Sequence, residues 1–421
     1  MKRLLIIYPH WPPSNLAGVH RSRLIANYSL DFDWDVTMLT VDSEHYEEAL
    51  DPEIERLVAP HIDVRKVSAF PVFTLLGKRV LGDIGIRGWF QMRRRMINIL
   101  RNESVDFIWI PIPSWYTSLL GRVAYRKFNI PFGIDYIDPW VYQLTAYEGT
   151  FSRQWWTRQV AVRLEPLAIR EAQLITGVSE EYYNPALKRV FQNGTEPDSV
   201  AMPYGFDPND HQHEPKDLEL PWGDDTSSYV LYAGAFLPHS EVFFRALFSV
   251  MAKIKLNEAW PAELKFRFVG TGERLGVSIS SLAKEYGIQD IVKEYPQRIP
   301  FLAVQTLLRQ AAGSLVIGST EPHYTASKTF QCLLAENPIF AIFHSESSAS
   351  TFLEEANAGS YLVKWNDDEE EELHEKIQQR LTPFISGSNP NWHPDLTRLE
   401  PYSSRESARA LFRAIDTVLQ K

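Results

Sequence analysis

The sequence of 421 residues contains a single cysteine, Cys332. One cysteine excludes an internal disulfide framework and a zinc site built from several thiolates, and it is typical of proteins from a reducing compartment. His-Glu-x-x-His and Gly-x-Ser-x-Gly patterns are also missing. We therefore predict no metal site, no serine-hydrolase nucleophile and no cofactor.

Long hydrophobic runs are missing too. No stretch approaches the about 20 apolar residues that cross a bilayer, and the apolar segment after Met1-Lys2-Arg3 is too short for a signal peptide. We expect a cytoplasmic protein that is soluble or held peripherally at the inner face of the cytoplasmic membrane.

The charge distribution is uneven. The formal net charge is −10, yet residues 71–170 hold 14 Lys/Arg against 7 Asp/Glu. The acidic balance argues against nucleic acid as a partner, whereas the basic stretch suits an anionic membrane surface or a phosphorylated substrate. Within this stretch, arginines and indoles occur together in two segments, and these predict a membrane or acceptor face that includes Arg93, Arg94, Arg95, Trp155 and Trp156. The alternative is that the indoles belong to the core and the arginines are merely solvated.

Short apolar runs alternate with segments of helical period, and this pattern occurs twice along the chain. The predicted strands are Leu4–Tyr8, Asp35–Thr40, Phe107–Ile110, Phe132–Tyr136, Leu174–Val178, Tyr229–Ala233, Phe266–Val269, Leu315–Ile317 and Ile339–Phe343. Alternating β and α segments are typical of parallel sheets covered on both faces. We predict an α/β protein with two doubly wound domains, at residues 1–204 and 205–399, with residues 400–421 packing back on the first.

The loop after the first strand carries a glycine and a cation at a predicted helix start. Gly18 would permit close approach of a phosphate, and Arg21 would add a positive charge one turn later. An ordinary β–α turn, with a glycine that relieves backbone strain, is the competing interpretation.

A second group of candidates lies in the second half of the chain. Lys328 follows a predicted strand at a helix start that Ser327 could cap, and Gln331 lies one turn further on. Two glycine turns, at Gly234 and at Gly270 with Gly272, would share that sheet edge and hold a nucleotide diphosphate. The alternative is a capped helix with a solvated lysine.

Asp138 follows the strand Phe132–Tyr136 and precedes a proline and a tryptophan. A carboxylate at a strand end is placed to enter a substrate cleft, so Asp138 is the candidate catalytic residue. A helix cap or a loop ion pair would explain it equally well.

In this order, the segments resemble the retaining nucleotide-sugar glycosyltransferases of the GT-B fold. The closest likeness is to the branch that adds amino- or deoxysugars to bacterial lipid-linked glycans. The resemblance covers nearly the whole chain, from Gly18-Val19-His20-Arg21 through Ile137-Asp138-Pro139-Trp140 to Ser327-Lys328. It implies two Rossmann-like domains facing each other across a cleft, with the final helix returning to the first domain.

The resemblance also implies roles. The first domain would hold the acceptor and the second the nucleotide sugar, with Gly18 near the donor diphosphate, Lys328 on a phosphate and Gln331 at the ribose hydroxyls. The family usually has glutamate at the position of Gln331. The implied reaction transfers a sugar, with retention, to a glycan or lipid-linked acceptor in polysaccharide or cell-surface glycan biosynthesis. A nucleotide-sugar epimerase of the same fold and a non-catalytic partner protein are the alternatives.

Overall fold

The structure is a computed structural model that describes residues 1–75, 78–141, 152–192, 194–272, 276–322, 326, 328–387 and 392–421. The chain divides into two compact units. The first comprises Met1–Asp207 and Tyr402–Lys421, and the second comprises Pro208–Pro401.

Seven parallel strands form the sheet of the first unit, in the spatial order β3-β2-β1-β6-β7-β8-β9. They are β1 (Lys2–Ile7), β2 (Trp34–Val41), β3 (Asp63–Val67), β6 (Phe107–Ile112), β7 (Phe132–Tyr136), β8 (Leu174–Gly177) and β9 (Asp198–Ala201). A separate antiparallel hairpin is formed by β4 (Phe73–Leu75) and β5 (Lys78–Leu81).

Successive strand residues point to opposite faces of this sheet, and both faces carry apolar residues. Helices therefore cover both faces. The helices are α1 (Ala17–Asn27), α2 (Ile84–Arg87), α3 (Trp89–Asn102), α4 (Leu119–Phe128), α5 (Arg153–Ile169) and α6 (Glu180–Val190). Leu5 and Ile7 of β1 pack with residues of α3 to α6, whereas Leu4 and Ile6 pack with α1. The two faces therefore carry two separate apolar cores.

The second unit has a six-stranded parallel sheet in the order β12-β11-β10-β13-β14-β15. Its strands are β10 (Ser228–Ala233), β11 (Leu264–Val269), β12 (Val292–Tyr295), β13 (Gly313–Ile317), β14 (Ile339–His344) and β15 (Tyr361–Trp365). Its helices are α7 (Glu241–Leu256), α8 (Ile279–Glu285), α9 (Phe301–Gln310), α10 (Lys328–Leu334), α11 (Ser348–Glu355) and α12 (Glu370–Ile385).

The last helix, α13 (Ser404–Leu419), belongs to the first unit. Ser403 caps it by accepting a hydrogen bond from the Glu406 N–H at 3.2 Å. Leu411, Phe412 and Ile415 are buried on the α1 face of the first sheet, where the Phe412 and Trp34 rings stack at 5.5 Å. The predicted α/β class, with two doubly wound domains and a returning C-terminal helix, is confirmed, and all nine predicted strands are present.

Candidate functional site

Each sheet has one point at which the chain reverses its direction of winding. In the second unit this point lies between β10 and β13, and in the first unit it lies between β1 and β6. In open parallel sheets, ligands bind at the carboxyl ends of the strands that flank such a point. The residues that follow these four strands are therefore the candidates for ligand contacts.

In the second unit, the structure brings Gly234 and Lys328 together. Gly234 follows β10 with φ of +140°, and a Cβ atom built on it would lie 3.0 Å from Lys328 Nζ. The ammonium group donates to the hydroxyl of Tyr232 at 3.0 Å and lies 4.1 Å from the centroid of that ring. The Lys328 ammonium thus lies beside the backbone of Gly234, which has no side chain, at the carboxyl edge of the sheet. The predicted cap residue Ser327 lies outside the described residues.

Gly270 and Gly272 follow β11, and both have backbone in the left-handed region, with φ of +70° and +81°. A Cβ atom on Gly272 would meet nothing within 4 Å, so this glycine is required by its backbone conformation and not by packing. The turn is tied to the Gly234 turn, because the Phe236 N–H donates to the Thr271 carbonyl at 3.1 Å. The two predicted glycine turns are therefore neighbours.

Gln331 is half-buried and its carbonyl oxygen is already occupied. Oε1 lies 2.7 Å from His211 Nε2 and accepts from Gln305 Nε2 at 3.1 Å. Burial lowers the pKa of His211 to about 4, although the bond to Gln331 opposes this, so His211 is neutral at pH 7. Its Nε2 then carries the proton and donates to Gln331. The side chain of Gln331 can therefore offer a ligand only its amide N–H groups.

Neither His211 nor Gln305 was predicted from the sequence. Gln305 is fully buried on α9 among Leu302, Leu307 and Leu308. A glutamine on the apolar face of a predicted helix is a usable signal for a buried polar contact. His211 lies in a short 3-10 turn in a polar segment, where nothing in the local pattern distinguishes it.

In the first unit, a cavity of about 380 Å³ lies at the reversal point, among residues that follow β1, β2 and β6. Its lining includes Tyr8, His10, Glu48, Arg87 and Ser114. His10 Nδ1 lies 2.8 Å from Glu48 Oε1, and the Ser14 hydroxyl donates to the same oxygen. Other cavities, of about 330 and 450 Å³, lie along α12 and not at either reversal point.

Gly18 is the second residue of α1 and lies beside Tyr8, which lines this cavity. A Cβ atom built on it would lie 2.2 Å from the hydroxyl oxygen of Tyr8 and 2.5 Å from its Cζ. Because Tyr8 is buried in the apolar core on the α1 face of the sheet, its side chain could not move away without disturbing that core. The absence of a side chain at Gly18 therefore makes room for Tyr8, which is a packing role.

Arg21 was predicted to add a cation for a phosphate, and the structure corrects this. Arg21 is fully buried and forms two hydrogen bonds with Asp135, at 3.0 and 3.1 Å. It also donates to the carbonyl oxygens of Met202, at 3.2 Å, and Pro203. A charge paired in this way inside the protein stabilises the meeting of α1, β7 and the segment after β9, and does not face a ligand.

Asp138 follows β7 at the same carboxyl edge as the cavity. The residue is exposed overall, yet the surrounding protein removes water from its carboxyl group, and this desolvation raises its pKa. Its charge also contributes to raising the pKa of Tyr8, after burial and other neighbours. Asp138 is therefore near the cavity, and its catalytic role stays a prediction.

The residues of the predicted membrane or acceptor face lie on α3 and α5. On α3, Met92, Met96 and Ile99 are buried while Arg94 is exposed and Arg93 and Arg95 are half-buried. On α5, Trp155 is half-buried and Trp156 is 54% exposed. An indole with this exposure is not a core residue.

Within the described ranges, no helix is long and apolar enough to span a membrane, and no group of His, Cys, Asp or Glu side chains is suited to hold a metal ion. No protein-family model matches the sequence, and no curated protein matches it.

Solved structures do resemble the chain. A sucrose-phosphate synthase from Thermosynechococcus elongatus has a TM-score of 0.57 at 16% identity, over 100% of this chain and 97% of that one. HepE from Anabaena, in complex with UDP and glucose, has a TM-score of 0.59 at 15% identity, over 99% and 100%. Trehalose-6-phosphate synthase OtsA has a TM-score of 0.60 at 10% identity, over 99% of both chains. At these identities the likeness shows the fold, and the fold of this chain is GT-B.

Proposed function

We propose that the protein is a glycosyltransferase that moves a hexosyl or related sugar from a nucleotide diphosphate to a glycan or lipid-linked acceptor. The observation that carries this proposal is the Lys328 ammonium beside the bare backbone of Gly234, at the reversal point of the second sheet. HepE, which has this fold, is described in complex with UDP and glucose. A nucleotide diphosphate sugar bound by the second unit is the ligand that fits this arrangement.

The chemistry asked of Lys328 is electrostatic. When the bond between the sugar and the diphosphate breaks, negative charge develops on the leaving phosphate oxygen. An ammonium group placed in advance stabilises that charge more than it stabilises the intact donor, and this difference lowers the barrier. Gln331 would donate an amide N–H to a ribose hydroxyl oxygen, because its own oxygen is already bonded.

The first unit would bind the acceptor at its own reversal point, beside Asp138. This carboxylate would orient the acceptor hydroxyl, and its raised pKa moves it towards the range of a group that accepts and releases protons. Retention of the anomeric configuration, and a place in polysaccharide or cell-surface glycan synthesis, are parts of the same proposal.

The test has two stages. A thermal-shift screen of UDP, GDP, CMP and dTDP sugars identifies the donor, since a ligand of the native state raises the unfolding temperature. Lys328→Ala should then weaken binding of that nucleotide by about 1.5–3 kcal/mol, the range for a charge-assisted contact. Lys284→Ala, an exposed lysine on α8, is the matched control and should change nothing.

Turnover decides between the alternatives. Incorporation of labelled sugar into extracted glycan or lipid indicates a transferase. Conversion of the nucleotide sugar into a stereoisomer that is still bound to the nucleotide indicates an epimerase. Donor binding without any turnover would favour a non-catalytic partner protein. The anomeric proton coupling of the product, measured by NMR, tests retention.

We also propose peripheral association with an anionic membrane through α3 and α5. Exposed Phe90 and Trp156, at 66% and 54%, lie on helices that carry several arginines. Exposed aromatic rings with cations suit a headgroup region, where each charge contributes about 1 kcal/mol. Sedimentation with anionic vesicles that salt reverses, and none with neutral vesicles, is the expected result; no sedimentation with either would contradict it.

A further inference from the structure

The cavity at the reversal point of the first sheet contains a buried hydroxyl group without a partner. Ser114 follows β6 and lines the cavity, and the residue is only 4% exposed. Its Oγ atom has no hydrogen-bond partner within the described part of the chain. A Cβ atom on Gly85 would lie 2.3 Å from this oxygen, so the glycine leaves the hydroxyl its space. A buried hydroxyl without a partner is unfavourable unless a ligand or water bonds to it.

The charged groups around the cavity are mainly acidic. Three carboxyl groups, those of Glu47, Glu48 and Asp83, line it together with two basic groups, those of Arg87 and His10. Burial on its own raises the pKa of Glu48, but the hydrogen bonds and charge of His10, with the Ser14 hydroxyl, bring it to about 2. Glu48 is therefore ionised at neutral pH, and the three carboxyl groups outnumber Arg87 and His10 together.

The arginine is committed to the protein. Arg87 is 3% exposed and donates to the carbonyl oxygens of Gly82, Phe70 and His45 at 3.2, 3.0 and 2.9 Å. Its only carboxylate partner among the described residues is Glu47, at 3.5 Å. A guanidinium that is bonded in this way has little capacity left to bind an anion in the cavity.

The pKa of Tyr8 is also affected by negative charges near the cavity. Tyr8 lines the cavity and is buried, and burial is the largest cause of its raised pKa. The charges of Glu48 and Asp138 act in the same direction, since negative groups disfavour a phenolate. A ligand with a negative charge at this position would be repelled by the same carboxylates.

From this geometry we propose that the cavity is a sugar subsite that accepts a neutral or amino-substituted ring and rejects a ring that carries a phosphate or carboxylate. This inference rests on the proposed function and names the class of acceptor. The volume of about 380 Å³ lies within the about 300–1,000 Å³ of ordinary small-molecule sites. Ser114 would bond one ring hydroxyl, and the carboxylates would accept from further hydroxyls or from an ammonium group.

The first experiment compares three probes of similar shape and different charge. Saturation-transfer NMR on the full chain should give the tightest binding for D-glucosamine, weaker binding for D-glucose, and binding at least five-fold weaker again for D-glucose 6-phosphate. If glucose 6-phosphate binds as well as glucose or better, the charge argument is wrong. Binding of none of the three also overturns the proposal.

Two variants connect the effect to the cavity. Ser114→Ala should weaken glucose binding several-fold without lowering the unfolding temperature, because the hydroxyl has no protein partner to lose. Asp83→Asn keeps an oxygen for the Ile86 N–H, which bonds to Asp83 at 3.0 Å, and should reduce the preference for glucosamine. Glu44→Gln, an exposed residue outside the lining, is the control. If Ser114→Ala leaves glucose binding unchanged, the assigned subsite is wrong.

Binding of the four nucleotides of the thermal-shift screen is measured on the same samples. Sugar binding without binding of any of these nucleotides would contradict the proposed function and leave the subsite standing. Nucleotide binding without sugar binding would do the reverse.

Discussion

Gly234 is the residue at which backbone conformation and ligand chemistry meet. Its φ of +140° is disfavoured for any residue with a side chain, and an added Cβ would lie 3.0 Å from Lys328 Nζ. We expect Gly234→Ala to lower the free energy of unfolding by about 1–3 kcal/mol, the range for a strained backbone position. It should also weaken nucleotide binding, because Lys328 must move. Denaturant titration and calorimetry measure the two effects.

Gly287→Ala separates these effects. Gly287 has φ of +68°, and a Cβ there would meet nothing within 4 Å. It should reduce stability through its backbone alone and leave nucleotide affinity unchanged. Equal losses of affinity in both variants would show that the Gly234 effect is not specific to the site.

Gln331→Glu tests the hydrogen bonds around the proposed ribose site. The new carboxylate would still accept from His211 and Gln305, and its negative charge would favour the protonated imidazole. The pKa of His211, about 4 in the native protein, should therefore rise. Because the folded-state pKa would lie closer to the ordinary value, the destabilisation that neutral burial causes below pH 6.5 should shrink. NMR titration of the imidazole measures the shift.

Gln331→Glu should also tighten nucleotide binding if the ribose lies at this residue. The substitution replaces the amide N–H groups by a second acceptor oxygen, which suits ribose hydroxyl protons. Tighter binding by about 1 kcal/mol would place the ribose at this residue. A raised His211 pKa with unchanged nucleotide affinity would place the ribose elsewhere.

Arg21 shows which part of a site the sequence hides. Its position after a glycine loop predicts a ligand-binding cation, but its partner Asp135 lies 114 residues away, so the pairing has no local signature. Lys328 and Gly234 were predictable because both follow strands that are recognisable as apolar runs. The occupied oxygen of Gln331 was not, since His211 lies in a segment without a regular pattern.

Arg21→Met follows from this correction. It leaves the buried Asp135 carboxylate with only the Thr176 hydroxyl, at 2.6 Å, among its side-chain partners in the described residues. Breaking a buried pair costs about 3–5 kcal/mol, so the free energy of unfolding from denaturant titration should fall by that amount. The double variant Arg21→Met, Asp135→Leu should recover part of the loss. Reduced nucleotide affinity in a still-folded Arg21→Met protein would restore the original phosphate role.

At the scale of elements, α13 is held by its cap as well as by its apolar face. Ser403→Ala removes the acceptor for the Glu406 N–H and should cost about 1 kcal/mol of unfolding free energy. Thr417→Ala is the control, because Thr417 is exposed on the same helix and its hydroxyl donates, among the described residues, only to the Arg413 carbonyl one turn earlier. Equal destabilisation by both would mean that the cap contributes nothing special.

The strands that sequence reasoning missed in the two large sheets share one property. They are the four edge strands, two from each sheet: β3, β9, β12 and β15. Three of them, β3, β9 and β12, hold polar residues among apolar ones and lack the continuous apolar run of a central strand. The fourth, β15, has an apolar run of only three residues, Tyr361–Val363, before Lys364. The central strands were all predicted, and they are the ones that set the position of both reversal points.

At the scale of the whole chain, the repeated alternation of β and α segments was enough to predict the fold. Parallel strands need helical crossovers, and the chain has these crossovers twice. The first unit, however, is completed by residues from the C-terminus, which pack through α13. That long-range closure follows from the resemblance and not from periodicity, because an amphipathic helix does not specify which sheet it covers.

The division into two units gives a test of the whole assignment by hydrogen exchange. A bound ligand slows exchange most where its contacts stabilise local structure. If the second unit binds the nucleotide, saturating UDP should protect the amides after β10 and β11 and those of α10, with little change after β1 and β6. D-glucosamine should give the reverse pattern, protecting segments around Ser114 and Glu48. Mass spectrometry of peptides from both units measures the two effects in one experiment. UDP protection confined to the residues after β1 and β6 would exchange the two roles and overturn the assignment of donor and acceptor units.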